Sequence, residues 1–123
     1  MIHTIIAYVE DKPGVLNRVA SLFRRRGFNI ESLAVGHTNM AGVSRMTIMV
    51  NAEEENVAKR IEANLYKLVN VLRVDDLTHK SPVARELALI KVNADSKTRS
   101  EIVQIADIFR ANIVDTASQT LIL

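Results

Sequence analysis

At Glu10-Asp11-Lys12-Pro13-Gly14-Val15-Leu16 the apolar spacing of this chain changes from that of a strand to that of a helix, so a sheet and a helix must pack on each other there. Upstream, Ile2 to Val9 is rich in β-branched and apolar residues. Downstream, Leu16, Val19, Ala20 and Phe23 recur at i, i+3, i+4 and i+7, one face of a helix. Asp11 is placed to cap that helix, Pro13 suits its first turn because no donor is needed there, and Gly14 admits close approach to the main chain. Unpaired N–H groups would then point outward beside a positive helix end, where a carboxylate ligand fits. Read alone, the same residues make a plain helix cap.

The alternation continues along the chain. Three arginines, Arg24 to Arg26, and then Gly27 predict the end of the first helix, because cations suit its last turn and glycine the left-handed residue after it. Asn29 to Thr38 reads as a strand, Asn39-Met40-Ala41-Gly42 as a turn, and Val43 to Asn51 as the returning strand with Met46, Ile48 and Val50 on one face. Acids at Glu53 to Glu55 precede a helix whose stripe is Val57, Ile61, Leu65 and Leu68, and Val69 to Leu77 reads as a closing strand. The order β-α-β-β-α-β predicts an α+β split βαβ unit, an antiparallel sheet with both helices on one face.

His79-Lys80-Ser81-Pro82 reads as a linker, after which the pattern restarts. Glu86 to Asn93 is strand-like, Ser96 is placed to cap a helix presenting Ile102, Ile105, Ala106 and Phe109, and Asn112 to Ser118 is strand-like again. Ala20-Ser21-Leu22-Phe23-Arg24 with Asn29-Ile30 is echoed by Ala106-Asp107-Ile108-Phe109-Arg110 with Asn112-Ile113, which points to a duplicated unit. All four glycines lie at or before Gly42, so Asn112 is the expected left-handed residue of the second turn. That second copy stops at Leu123 without its second helix, a β-α-β start with open edges that is truncated, paired with another chain, or packed on the first domain.

Composition narrows the functional classes. With 16 basic and 14 acidic side chains the net charge is only +2, so no polyanion is demanded as partner. Residues 1–80 carry 11 basic and 9 acidic side chains and the rest carry 5 of each, which puts the whole excess in the first part. There is no Cys, hence no disulfide, thiolate metal site or Cys nucleophile, and the cytoplasm is the expected compartment, without signal peptide or membrane span. His3, His37 and His79 are far apart and lack metal-ligand spacing, so they read as satisfied or exposed histidines. No nucleophile, phosphate-loop or dinucleotide motif occurs, which leaves no candidate catalytic residue. Arg24 to Arg26 complement the helix dipole and snorkel over the core edge; the second reading makes Arg18, Arg25 and Arg26 a contact surface for an acidic protein. RNA binding on such a sheet needs exposed aromatics, and these are only 4% of the chain.

For a ligand site, the loop after the first strand and the start of the second lie towards the same edge, so a two-fold copy would bring Asn29 to the other chain's loop. A small amino acid would find backbone donors for its carboxylate, Asp11 or carbonyls for its ammonium, and Val15, Leu16 or Ile30 for its side chain.

Glu10 to Leu16, Arg24-Arg25-Arg26-Gly27-Phe28-Asn29-Ile30-Glu31-Ser32-Leu33, Ser44-Arg45-Met46-Thr47 and Leu68 to Val74 together resemble the regulatory small subunits of acetolactate synthase, also called acetohydroxyacid synthase. The first motif is general to ACT domains, the ligand-binding modules of amino-acid metabolism; its combination with the second and third is specific to this family. The resemblance runs through residues 2–78 and more weakly to the end. It implies a ferredoxin-like βαββαβ ACT domain over 1–79 and a partial second ferredoxin-like βαβ unit over 80–123. It implies a non-catalytic chain that activates a large catalytic subunit and confers feedback inhibition by valine or a related branched-chain amino acid. Thiamine diphosphate, magnesium and FAD would sit on the large subunit and none on this chain. Carried over by position, Asp11, Pro13, Gly14, Val15 and Leu16 would line the effector site from one chain of a homodimer, and Asn29 and Ile30 from the other. The alternative is an ACT module serving another biosynthetic enzyme or a transcription regulator.

Overall fold

A computed structural model describes all 123 residues. The chain divides between Pro82 and Val83, at the end of the stretch read as a linker. The first unit holds β1 (Ile2–Glu10), α1 (Val15–Arg26), β2 (Ile30–His37), β3 (Val43–Asn51), α2 (Val57–Leu65) and β4 (Val71–Asp76). Its sheet is antiparallel in the order β2-β3-β1-β4, the expected ferredoxin-like arrangement.

Alternation along the central strands builds the core. Ile5, Ala7 and Val9 of β1 and Met46, Ile48 and Val50 of β3 face Val15, Val19, Leu22 and Phe23 of α1 and Val57, Ala58, Ile61 and Leu65 of α2. A fully buried side chain of this size contributes roughly 1.5–3 kcal/mol, so these two strands and two helix faces carry the unit. The stripe on α1 is rotated by one position from the one expected: Val15 and Leu22 are buried, whereas Leu16 is 43% exposed and Ala20 lies on the surface. Four residues at helical spacing define a period, but the phase is settled by which side of the helix meets the sheet. α1 ends as expected, with Gly27 left-handed at φ 71° and its amide donating to the Arg24 carbonyl.

β4 is shorter than its apolar run. Val69 is 84% exposed, and Leu72 is bulged out of the ladder between Val71 and Arg73. His3 is also at odds with a satisfied or exposed histidine: it lies on the buried face of β1 with no exposed surface, and neither ring nitrogen has a hydrogen-bond partner.

The second unit holds β5 (Lys91–Asn93), α3 (Arg99–Phe109), β6 (Asp115–Thr116) and β7 (Thr120–Ile122), with strand order β5-β7-β6. Of the strand expected over Glu86–Asn93 only Lys91–Asn93 forms, of that expected over Asn112–Ser118 only Asp115–Thr116 forms, and the strand β7, which the β-α-β reading did not include, supplies the pairing for both. Asp95, not Ser96, caps the start of α3: its Oδ1 accepts the Lys97 and Thr98 amides, each at 2.9 Å. The left-handed residue after α3 is Arg110, φ 56°, rather than Asn112. Ala106 is buried and Ile102 half-buried, but Ile105 and Phe109 are exposed, because this unit brings only three short strands against the helix. No helix in either unit is long and apolar enough to cross a membrane.

Candidate functional site

The loop between β1 and α1 is pinned on both sides by its own backbone. The Glu10 amide donates to the Asn70 carbonyl at 2.9 Å, the Asp11 amide to the Gly42 carbonyl at 2.8 Å, and the Lys12 amide back to the Glu10 carbonyl at 3.0 Å. The Lys12 ammonium pairs with the Glu10 carboxylate. Gly14 is the residue preceding the helix and adopts φ 83°, a left-handed conformation that a side chain disfavours. Its carbonyl accepts the Arg18 amide at 3.0 Å, while the amides of Leu16 and Asn17 find no acceptor in the chain. Two main-chain donors are therefore free at the positive end of a twelve-residue helix.

Asp11 does not cap α1. The helix begins only at Val15, with no side-chain hydrogen bond at its start, because the left-handed Gly14 makes the turn by itself. Pro13 sits in the turn before the helix for the same reason. The Asp11 carboxylate instead lies 3.2 Å from Nδ1 of His37 at the end of β2, and both side chains are well exposed. His37 is exposed, as read from the sequence, but its approach to Asp11 was not legible there, because only the pairing of His37 with Ser44, beside the Glu10–Val43 pair, brings it to this end of the sheet.

Val15 is 3% exposed and belongs to the core, so its side chain faces no ligand unless the core opens; Leu16 is the apolar side chain presented at the surface. Asn29 is exposed, its Nδ2 3.5 Å from a Glu31 oxygen, and Ile30 packs against the core edge. Within one chain these two are not at the loop's edge. β1 and β2 both run antiparallel to β3, Ile30 pairs with Val50 and His3 pairs with Val50, so Asn29 lies at the far end of the sheet from Asp11. An eight-residue strand separates the two by roughly 25 Å.

β2 is an edge strand, and every side chain from Glu31 to His37 is exposed. Leu33 and Val35 pair with Ile48 and Met46, so they continue the buried face of β3 out to an uncovered margin. Arg18, grouped with Arg25 and Arg26 in the sequence, is separately engaged: its guanidinium donates to the Asn70 side-chain oxygen at 2.5 Å. Arg25 and Arg26 are exposed and form no ion pair.

A βαββαβ unit of this sheet order, with free main-chain amides at the start of its first helix and a second α+β unit after it, has the architecture of an ACT-domain protein. Residues 5–73 match the AHAS small subunit-like ACT domain, and residues 85–123 match the small subunit of acetolactate synthase. An acetolactate synthase small subunit from Mycobacterium avium is 52% identical over 97% of this chain and 71% of its own length. A probable acetolactate synthase small subunit from Archaeoglobus fulgidus is 50% identical over the whole chain and 76% of its own length. The crystal structure of the Thermotoga maritima small subunit superimposes with a TM-score of 0.84 at 37% identity, covering 99% of this chain and 76% of that one. The chain belongs to the acetolactate synthase small-subunit family.

Proposed function

We propose that the chain is the regulatory, non-catalytic subunit of acetolactate synthase, working in the cytoplasm in branched-chain amino acid biosynthesis. It activates the large catalytic subunit, which carries the thiamine diphosphate, magnesium and FAD, and it makes that enzyme sensitive to valine or a related branched-chain amino acid. The observation that carries this reading is the geometry of β2. It is an unpaired edge with an apolar margin, and an antiparallel two-fold pairing along it would lay the start of one β2 beside the end of the other. Asn29 and Ile30 of one protomer would then approach Asp11, Gly14 and Leu16 of its partner.

An amino acid in that space would have its carboxylate met by the free amides at the start of α1, its ammonium by Asp11, and its side chain by Leu16 and Ile30. Pro13 contributes the fixed turn that presents those amides. The regulation follows from linkage: the effector bridges two protomers, so it favours the dimer geometry that holds it, and the large subunit responds to the extent that it binds the two geometries differently.

The test is reconstitution with a large subunit, wild type against Gly14→Asp, which sets a carboxylate where the effector's own should lie. Valine inhibition should weaken at least tenfold, about 1.4 kcal/mol of binding, with activation retained. Unaltered inhibition would overturn the site.

A further inference from the structure

Between the C-terminal ends of α1 and α2 runs an open groove of about 390 Å³ lined by Leu22, Arg25, Arg26, Asn64, Lys67 and Leu68. Leu22 and Leu68 make an apolar floor continuous with the core. Arg25, Arg26 and Lys67 form a rim of three cations, none in an ion pair, whereas Arg60 and Arg73 nearby in the sequence are each held by an acid. Asn64 orients part of the rim: its Nδ2 donates to the Arg60 carbonyl at 2.7 Å and its Oδ1 lies 3.4 Å from the Lys67 ammonium. Complementing the dipole of a single helix takes about one cation in its last turn. Three arginines there, with a lysine from beyond the second helix turned to the same groove, exceed that need.

Resting on the regulatory reading above, we propose that this groove docks an acidic segment of the catalytic subunit, with an apolar side chain seated between Leu22 and Leu68 and carboxylates on Arg25, Arg26 and Lys67. Charge complementarity decides the sign of the partner, and the floor decides its class. A polyanion such as RNA gains nothing from buried leucine and would need stacking aromatics, of which the groove lining has none. Arg18 takes no part, since Asn70 holds it.

The experiment titrates the large subunit into the wild-type chain and into the charge-reversed variant R25E/R26E/K67E by calorimetry, at low and at high salt, with R25Q/R26Q/K67Q as a milder companion. Reversal should weaken binding at least tenfold and flatten its salt dependence, while valine binding and the mass of the chain alone stay as in wild type. Unchanged binding of the large subunit would overturn the groove and leave the regulatory reading standing. So would a fall in the mass of the chain alone, which would make the groove a contact between copies, or a loss confined to RNA binding. A wild-type chain that bound no large subunit would overturn both.

Discussion

The guanidinium of Arg18 on α1 donates to the side-chain oxygen of Asn70 at 2.5 Å, and the main-chain carbonyl of the same asparagine accepts the Glu10 amide at 2.9 Å. One buried residue at the entry to β4 thus braces both the end of β1 and the first turn of α1, the two sides of the candidate effector loop. Asn70→Ala leaves the Arg18 charge without its partner and removes a charge-assisted hydrogen bond, which is worth about 1.5–3 kcal/mol. Chemical denaturation should show a loss in that range, and hydrogen exchange at Asp11 and Lys12 should quicken. Exchange unchanged at those amides would mean that the loop is held without the brace.

His3 spends hydrogen-bonding capacity for no return. Both ring nitrogens are buried and unpartnered, and leaving such groups unsatisfied costs about 1–3 kcal/mol. His3→Leu keeps the bulk and discards the polar atoms, so thermal and urea unfolding should show a protein as stable as wild type or more so, by about 1 kcal/mol. A large loss of stability would show that the imidazole is satisfied in solution.

Asp76 sets a limit at low pH. Burial is the largest single influence and pushes its carboxyl up, but the hydroxyl and amide of Thr78, both bonded to Oδ1, with the nearby His79 and His3, together hold it below the usual carboxylate range. A depressed native pKa stabilises the fold above the unfolded-state value, about 3.9, and that stability is lost as pH falls through the native value. Thr78→Ala removes the hydroxyl bond and raises the native pKa towards the unfolded one. The acid unfolding midpoint should therefore move to higher pH, with little change in stability near neutrality beyond the lost hydrogen bond.

Along β2, Val35→Lys places a charge on the apolar margin beside the Met46 row without touching the core, since Val35 is already 45% exposed. If the edges pair, light scattering should show a shift from dimer towards monomer and calorimetry a matching loss of valine binding. A dimer with intact valine binding would move the interface elsewhere.

Gly14 separates strain from chemistry. A Cβ built there meets nothing within 4 Å, so the only cost of Gly14→Ala is the left-handed φ of 83°, about 1–2 kcal/mol. Gly14→Asp carries the same strain plus a carboxylate. Both should lose similar stability in denaturation, but the aspartate should abolish effector binding far more completely than the alanine; equal losses of binding would assign the effect to the backbone alone.

Much of this was legible in the residues themselves. Alternation in Val43–Asn51, arginines followed by Gly27, and the break at His79–Pro82 report local preferences, because strand period, helix capping and proline geometry act within a few residues. The phase of α1 was not legible: Leu16 and Val19 share a face as readily as Val15 and Val19, and only the sheet beneath selects the second pair. Nor was the role of Asp11, whose capping was displaced by Gly14 and whose contact is a histidine 26 positions away, brought near by strand pairing. Lys67 carries no motif, and Asn70, though it lies within the Leu68–Val74 stretch, gains its role only from what it reaches across the fold. The sequence by itself determined the order of elements in the first unit and the chemistry available at the loop, since these depend on short-range backbone physics. The tertiary structure decided which side chains are spent on the core, which are braced and which remain free to bind, because burial and long-range pairing exist only once the sheet has formed.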